Sequence, residues 1–291
     1  MDWLVTAFGA VIVLFVLRDM FHTIWHPSGQ GMLSRLIIRA VWKASTLLKE
    51  RSRQTSVIGP VALLSVILAW AAIIVLGWTL IYWPHMAEGF SFASGLEPSE
   101  RSDATDSLYL SLVTVATLGY GDIVPTFAWL RLLAPFEALI GFALLTAAVS
   151  WVLQIYPALA RRRALAFHLS LLKKANTAGS VATLDSSAVF TLLDTLAGEL
   201  VRLQVDLTQY TETYYFREAD PEASLPAQLP YALELAHAAR TSTREDLRLA
   251  GTVLAAAIDA YTHLLAQQFS LQGEEAEDVL DRFAVDHGYG R

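Results

Sequence analysis

The feature that most constrains this chain is the run from Val57 to Trp83, which holds no charged residue. A helix needs about 20 apolar residues to cross the roughly 30 Å hydrocarbon core of a bilayer, and this run exceeds that. Trp78, Tyr82 and Trp83 crowd its far end, as an interfacial aromatic belt would. Two further stretches are comparable. Trp3–Leu17 is uncharged and, extended to Trp25 past Arg18 and Asp19, reaches spanning length. The stretch from about Phe127 to Tyr156 carries only Arg131 and Glu137. Charged residues make up 17% of the 291-residue chain, below the roughly 25% of soluble domains. The expectation is an all-α membrane protein with three transmembrane helices. There is no cysteine, which excludes disulfides, thiol catalysis and cysteine-bound metal.

The charges that remain are sorted by position. Residues 30–56 contain Arg35, Arg39, Lys43, Lys49, Arg51 and Arg53 against Glu50 alone. Arg35, Arg39 and Lys43 recur every four residues opposite Leu36, Ile37, Ala40 and Val41. That pattern is a basic amphipathic helix suited to an anionic lipid leaflet. Because these charges lie between spans and only three form a stripe, a voltage sensor is a poor fit. Residues 84–106 are acidic, with Glu88, Glu97, Glu100, Asp103 and Asp106 against Arg101, and Arg161–Arg163 follow the third apolar run. Basic loops stay cytoplasmic, so the N-terminus and the 84–126 region are expected outside, with 30–56 and the C-terminal half inside, across a plasma (inner) membrane.

Between the second and third runs lies Thr117-Leu118-Gly119-Tyr120-Gly121-Asp122. It follows a short Ser/Thr-rich segment, 107–116, expected to be a helix too brief to span. Two glycines around an aromatic suit a backbone needing positive φ. The stretch resembles the TVGYG selectivity filter of the potassium-channel pore superfamily, with Leu118 in place of valine. By that resemblance, carbonyls of Thr117, Leu118, Gly119 and Tyr120, with the Thr117 hydroxyl, would replace the water shell of K+. The Leu118 side chain would pack behind the filter. The resemblance covers roughly residues 57–156: Pro125 three residues after Asp122, and Gly141 nineteen after it, stand at the spacing of two-span channels. It implies a homotetramer, each chain meeting three identical subunits, since the filter takes four loops. Gly141 would be the inner-helix hinge, or alternatively a packing glycine. Tyr109, eight residues before Thr117, sits where several relatives carry a tryptophan, and could brace the filter through Asp122.

Glu137 lies inside the third run, one turn before Gly141. An intramembrane carboxylate is costly and marks a functional candidate: a gating or proton-sensing residue, or a structural one bonded to Ser111 or Thr114. Asp19, His22 and His26 share one helix face with metal-compatible spacing, although no fourth ligand is apparent.

Residues 157–291 show helical periodicity and no strand alternation. Leu193, Leu196, Leu200 and Leu203 share a face, Ser242 and Glu245 have capping-box spacing before a helix to Phe269, and 215–230 holds three prolines and reads as a loop. Asp259 and His263 inside Leu249–Ala266 favour a core helix over a fourth span. No GxGxxG is present, no catalytic constellation is visible, and the acidity of this half (twelve Lys/Arg against eighteen Asp/Glu) disfavours nucleic acid. The divisions expected are an N-terminal span at 1–29, an interfacial helix at 30–56, a pore domain at 57–156 and a cytoplasmic helical domain at 157–291, which could take a ligand or a protein. The function expected is a tetrameric pore-loop potassium channel and not an enzyme. The alternatives are a non-selective cation channel and a non-conducting sensor that keeps a channel-like module.

Overall fold

The structure is a computed structural model that describes residues 2–25, 31–47, 57–93, 104–271, 273 and 275–289. His26, Glu97, Asp103, Lys49, Arg51 and Arg53, named above, lie outside the described residues. Among the described residues, four helices are long and apolar enough to cross a membrane: Asp2–Ile24, Ile58–Gly89, Ala128–Lys174 and Glu245–Phe269. The chain forms two compact units, Met1–Val41 with Val61–Leu153, and Trp42–Pro60 with Gln154–Arg291.

In the first unit, α1 (Asp2–Ile24) packs on α3 (Ile58–Tyr82) at Gly9 and Gly77. A Cβ on Gly9 would stand 2.5 Å from the Gly77 carbonyl oxygen, and one on Gly77 would stand 2.7 Å from Val13 Cγ2. Lipid gives helices no hydrophobic drive to pair, so this backbone approach is what creates dispersion contact between them. Near its C-terminal end α1 holds the start of α2 (Met32–Leu47). The buried Asp19 carboxylate accepts from the backbone N–H groups of Leu33 (2.8 Å) and Ser34 (3.2 Å), from Ser34 Oγ (2.6 Å) and from Trp70 Nε1 (3.0 Å). A carboxylate at the positive end of a helix satisfies its orphan donors, so the connection from α1 to α2 is fixed by one side chain. Arg35, Arg39 and Lys43 lie on the exposed face of α2, and Ser34, Ile38 and Trp42 on the buried one.

After α3 come a 3-10 turn (Trp83–His85), a single turn α4 (Met86–Gly89) and strand β1 (Phe90–Phe92). The pore-helix candidate α5 (Ala104–Val115) and strand β2 (Ile123–Pro125) follow. β1 and β2 pair antiparallel, Phe90 opposite Pro125 and Phe92 opposite Ile123, a small ribbon in a region expected to hold no strand. Trp78 and Tyr82, expected in an interfacial aromatic belt, are buried at 4% and 0% exposure. The Tyr82 hydroxyl and both ring surfaces are used inside the unit.

The helix α6 (Ala128–Lys174) does not end at Tyr156 as expected. It runs on through residues of good helix propensity, and its 47 residues rise about 70 Å, twice what a bilayer core needs. The division between units falls within it, at Leu153, and not after Tyr156.

The second unit is a helical bundle. Its helices after α6 are α7 (Thr177–Ser180), α8 (Ser186–Gln209), α9 (Leu225–Arg240), α10 (Glu245–Phe269) and α11 (Ala276–His287). α8 is capped by Asp185, which accepts from the N–H groups of Ser187 and Ala188. α10 buries Leu247, Leu254, Ile258, Tyr261 and Leu265 against α8 and α9, so its apolar face is a bundle face. It opens at Glu245 with Arg244 before it, and the expected Ser242 cap instead accepts from the Arg244 N–H. The expected loop at 215–230 is shorter, because Pro226 occupies the first turn of α9, where its missing N–H costs nothing. Trp42 belongs to this unit: its ring lies 5.3 Å from Tyr215 and 5.5 Å from His287, and the Arg217 guanidinium sits 4.0 Å over it. That packing explains why Trp42–Pro60 groups with the C-terminal half.

His287 is buried with Nε2 2.8 Å from the Tyr214 carbonyl and Nδ1 3.0 Å from that of Phe283. Burial pushes its imidazole down to about 4, against the raising effect of those carbonyls. Its folded value lies below the unfolded one, so protonation favours the unfolded chain. The contribution is complete above about pH 6.5 and is lost as pH falls toward 4. Thermal unfolding of the full chain between pH 7 and pH 4 should show this loss, and His287→Phe should flatten it. Parallel pH profiles for both proteins would contradict it.

Candidate ion-conduction site

The site is built on the end of α5. Twelve residues rise about 18 Å, too short to span, so the helix ends within the protein and its last carbonyls need partners. The chain supplies them by folding back. Ala116 N–H donates to Leu112 O (3.0 Å), Thr117 N–H to Thr114 O (2.9 Å), and the N–H groups of Leu118 (2.8 Å) and Gly119 (3.2 Å) both reach Val113 O.

Along the returning strand, Thr117, Gly119 and Gly121 have φ of 58°, 51° and 76°, while Leu118 and Tyr120 between them stay at negative φ. Alternating hands turn successive peptide units the same way, collecting N–H groups on one side and carbonyls on the other. For Thr117, a β-branched residue, positive φ is a strained conformation, of the kind held at functional sites. At Gly119 and Gly121 a Cβ would meet nothing within 4 Å, so glycine serves the backbone there and not the packing. The Leu118 side chain, expected to pack behind this strand, is 57% exposed within the single chain, and Tyr120 is 67% exposed.

The exit of the loop is tied on two sides. Ala93 N–H donates to Asp122 O at 2.8 Å and Thr126 N–H to Gly89 O at 2.8 Å, which anchors it to the β ribbon. Tyr109 Oη donates to Asp122 Oδ2 at 2.7 Å, and Asp122 Oδ1 accepts from the Ile123 N–H.

Behind the loop, the fully buried Glu137 of α6 accepts from Ser111 Oγ through Oε1 and from Tyr82 Oη through Oε2, each at 2.6 Å. One carboxylate thus joins α3, α5 and α6. Of the two hydroxyls proposed from the sequence, Ser111 is a partner. Thr114 instead donates to Leu110 O in its own helix. Tyr82 was missed, because nothing in its local sequence distinguishes it from a belt tyrosine. One turn further on, a Cβ added to Gly141 would stand 2.1 Å from Val115 O, so α6 touches the end of the pore helix at that glycine. α6 continues helically through it.

Of the set Asp19, His22 and His26, the structure describes the first two. Asp19 is committed to α2, His22 Nδ1 lies 2.9 Å from Arg18 O, and His26 is outside the described residues. Among the described residues no group of three His, Cys, Asp or Glu is placed to hold a metal.

Comparison with known proteins places this geometry. Residues 62–156 match the family model described as "Ion channel". The chain is 27% identical over 150 residues to "Uncharacterized membrane protein YdjJ" of Bacillus subtilis (strain 168), covering 50% of this chain and 42% of that protein. It is 38% identical over 60 residues to "Two-pore potassium channel 5" of Arabidopsis thaliana, covering 19% of this chain and 15% of that protein. The chain therefore spans less than half the length of each. No solved structure matches it. The stretch that carries α5, the returning loop and the first part of α6 is thus similar to an ion-channel domain.

Proposed function

We propose that the chain is one subunit of a homotetrameric, potassium-selective channel that conducts K+ passively across a cell membrane. The observation that carries this reading is the alternating backbone at Thr117, Gly119 and Gly121 on a loop held at the end of a short helix. Four such loops around one axis would stack their carbonyls into rings that take the place of the ion's water. The dipole of α5 would aim its negative end toward the same axis. K+ would sit in those rings, with the Thr117 hydroxyl at the inner end. α1, α3 and the first part of α6 are the three spans, with the N-terminus outside and the second unit cytoplasmic, as the charge asymmetry requires. Glu137 and Gly141 carry gating: the first joins the three pore helices, and the second is the point where α6 leans on the pore helix and can leave it.

Reconstitution of the purified full chain in liposomes, followed by single-channel recording in K+ and Na+ at several voltages and pH values, tests the reading. Potassium current should exceed sodium current roughly tenfold or more. Comparable sodium current would make it a non-selective cation channel, and absent flux a sensor.

The Tyr109–Asp122 bond gives a second prediction. A hydrogen bond to a charged acceptor is stronger than a neutral one, so Tyr109→Phe, which removes the one at the exit of the loop, should speed the decay of current during sustained opening about threefold to tenfold. Decay unchanged from that of the parent protein would remove the bracing role.

A further inference from the structure

Beyond residue 156, where the match to the ion-channel family ends, α6 is apolar on two opposite sides. One side, with Leu159, Leu165 and Leu169, is buried in the second unit. The other carries Pro157, Ala160, Ala164, Phe167 and Leu171, all exposed, the last two at 43% and 63%. These five follow one another at three, four, three and four residues, the alternation of a heptad seam. They fall within about 80° of the helix circumference along a rise of about 21 Å. A helix that is apolar all round belongs in an interior, and a continuous exposed apolar stripe marks a surface that something covers.

Charge is kept to the flanks of the stripe and is matched there within the chain. The Arg161 fork donates through Nε and Nη2 to the two carboxylate oxygens of Asp206, each at 2.7 Å. On the other flank, Arg163 Nε donates to Glu218 Oε1 at 2.7 Å. His168 Nδ1 lies 3.6 Å from Glu199 Oε2. The stripe itself holds no charged and no polar side chain.

That combination fits a second copy of the same chain. Where identical helices pack in parallel, each residue of the seam faces its own copy, so a charge in it would meet a like charge at a cost of several kcal/mol. Ala160 and Ala164 leave room for a close approach, and Phe167 and Leu171 are knobs for the holes of a facing helix. Lipid is a poor match for the same stripe. The residues from Ala128 to Pro157 rise about 44 Å, beyond the roughly 30 Å hydrocarbon core that the first part of α6 would cross. We propose that residues 157–171 of α6 pack against the same residues of a second copy in parallel register, forming a subunit interface separate from the loop Thr117–Asp122. The parallel register rests on the tetramer given under the proposed function; the self-association of the stripe does not.

The absence of cysteine makes a single introduced thiol report on one position. The full chain carrying Ala164→Cys is reconstituted in phosphatidylcholine liposomes and oxidised with copper phenanthroline. A disulfide needs Cα atoms within about 7 Å, so linked dimers should form about tenfold or more faster than with Thr191→Cys, on the exposed side of α8. Adding Phe167→Glu and Leu171→Glu to Ala164→Cys should slow linking about tenfold or more, because each glutamate then faces its own copy. Both side chains are exposed, so thermal unfolding should show the second unit still folded. Leu171→Met, which conserves volume, should leave the linking rate within about twofold.

Equal rates for Ala164→Cys and Thr191→Cys would show chance collision and overturn the interface. Linking that survives both glutamates would overturn it as well. Protection of Ala164→Cys from a water-soluble maleimide without any linking would mean that lipid or another protein covers the face. Linked dimers from a chain that conducts nothing would leave the interface standing and remove the channel reading. Potassium current without such linking would do the reverse.

Discussion

Gly121→Ala should abolish cation flux while leaving the protein folded. Gly121 has φ of 76° and nothing within 4 Å of where a Cβ would lie, so alanine meets no clash within its own chain and its cost is conformational. Holding an L-residue at that φ costs about 1–2 kcal/mol. In the proposed tetramer the loop would adopt the conformation four times around one axis, so the cost becomes about 4–8 kcal/mol. At 1.4 kcal/mol per factor of ten, the conducting arrangement is depleted roughly a thousandfold or more. Liposome flux measures the loss, and thermal unfolding checks that the fold survives. D-Alanine at 121, introduced by semisynthesis, prefers positive φ and should restore flux. If L-alanine conducts normally, or if both enantiomers fail alike, backbone handedness is not what makes this loop work. Gly119, at φ of 51°, should behave the same way.

Glu137→Ala should destabilise the first unit. It takes the acceptor from the buried Tyr82 hydroxyl and leaves that of Ser111 with Val75 O, at 3.1 Å. An orphaned buried hydroxyl costs about 1–3 kcal/mol. Within membranes the reference state finds other partners and the figure falls toward the lower end. A loss of about 1–2 kcal/mol per subunit follows, equivalent to a fall in Tm of about 3–8 °C. Glu137→Gln keeps one carbonyl acceptor and offers an amide to the other hydroxyl, which can turn to accept it, so its loss should be much smaller. Tyr82→Phe and Ser111→Ala should each remove part of the effect, and should be non-additive with Glu137→Gln because all three share one network. A melting curve for Glu137→Ala that overlays that of the parent protein would show that the three helices are held together elsewhere. Open probability recorded for Glu137→Gln across pH addresses gating separately.

These two residues mark different limits of what a sequence tells. The glycines of the loop could be read directly, because a backbone that needs positive φ leaves a local trace: glycine at the positions where only glycine is free to go. The membrane helices were equally legible, since an uncharged run of spanning length has few alternatives in water. The role of Glu137 was only half legible. Its cost inside an apolar run announced a partner, but the partners come from segments 55 and 26 positions away, and spacing along one helix says nothing about which helix stands opposite. Tyr82 was read as a belt residue for that reason. Asp19 shows the same effect in reverse. Its spacing from His22 is that of a metal pair, yet α2 presents two N–H groups and a hydroxyl to it and α3 the Trp70 indole, and a carboxylate goes where donors are most numerous.

The end of α6 and the fate of Trp42 were decided by tertiary structure as well. Hydropathy reports where a bilayer would end, and that is where the third run was expected to stop. Helix propensity carries on across that boundary, and only the packing of its residues from Gln154 onward within the second unit reveals that the helix belongs to both. The sequence by itself determined what is local: spanning runs, the sign of each loop, and the residues able to turn a backbone left-handed. Tertiary structure alone decided which distant groups satisfy one another's hydrogen bonds, because burial forbids an unpaired polar group but does not say which partner will be found.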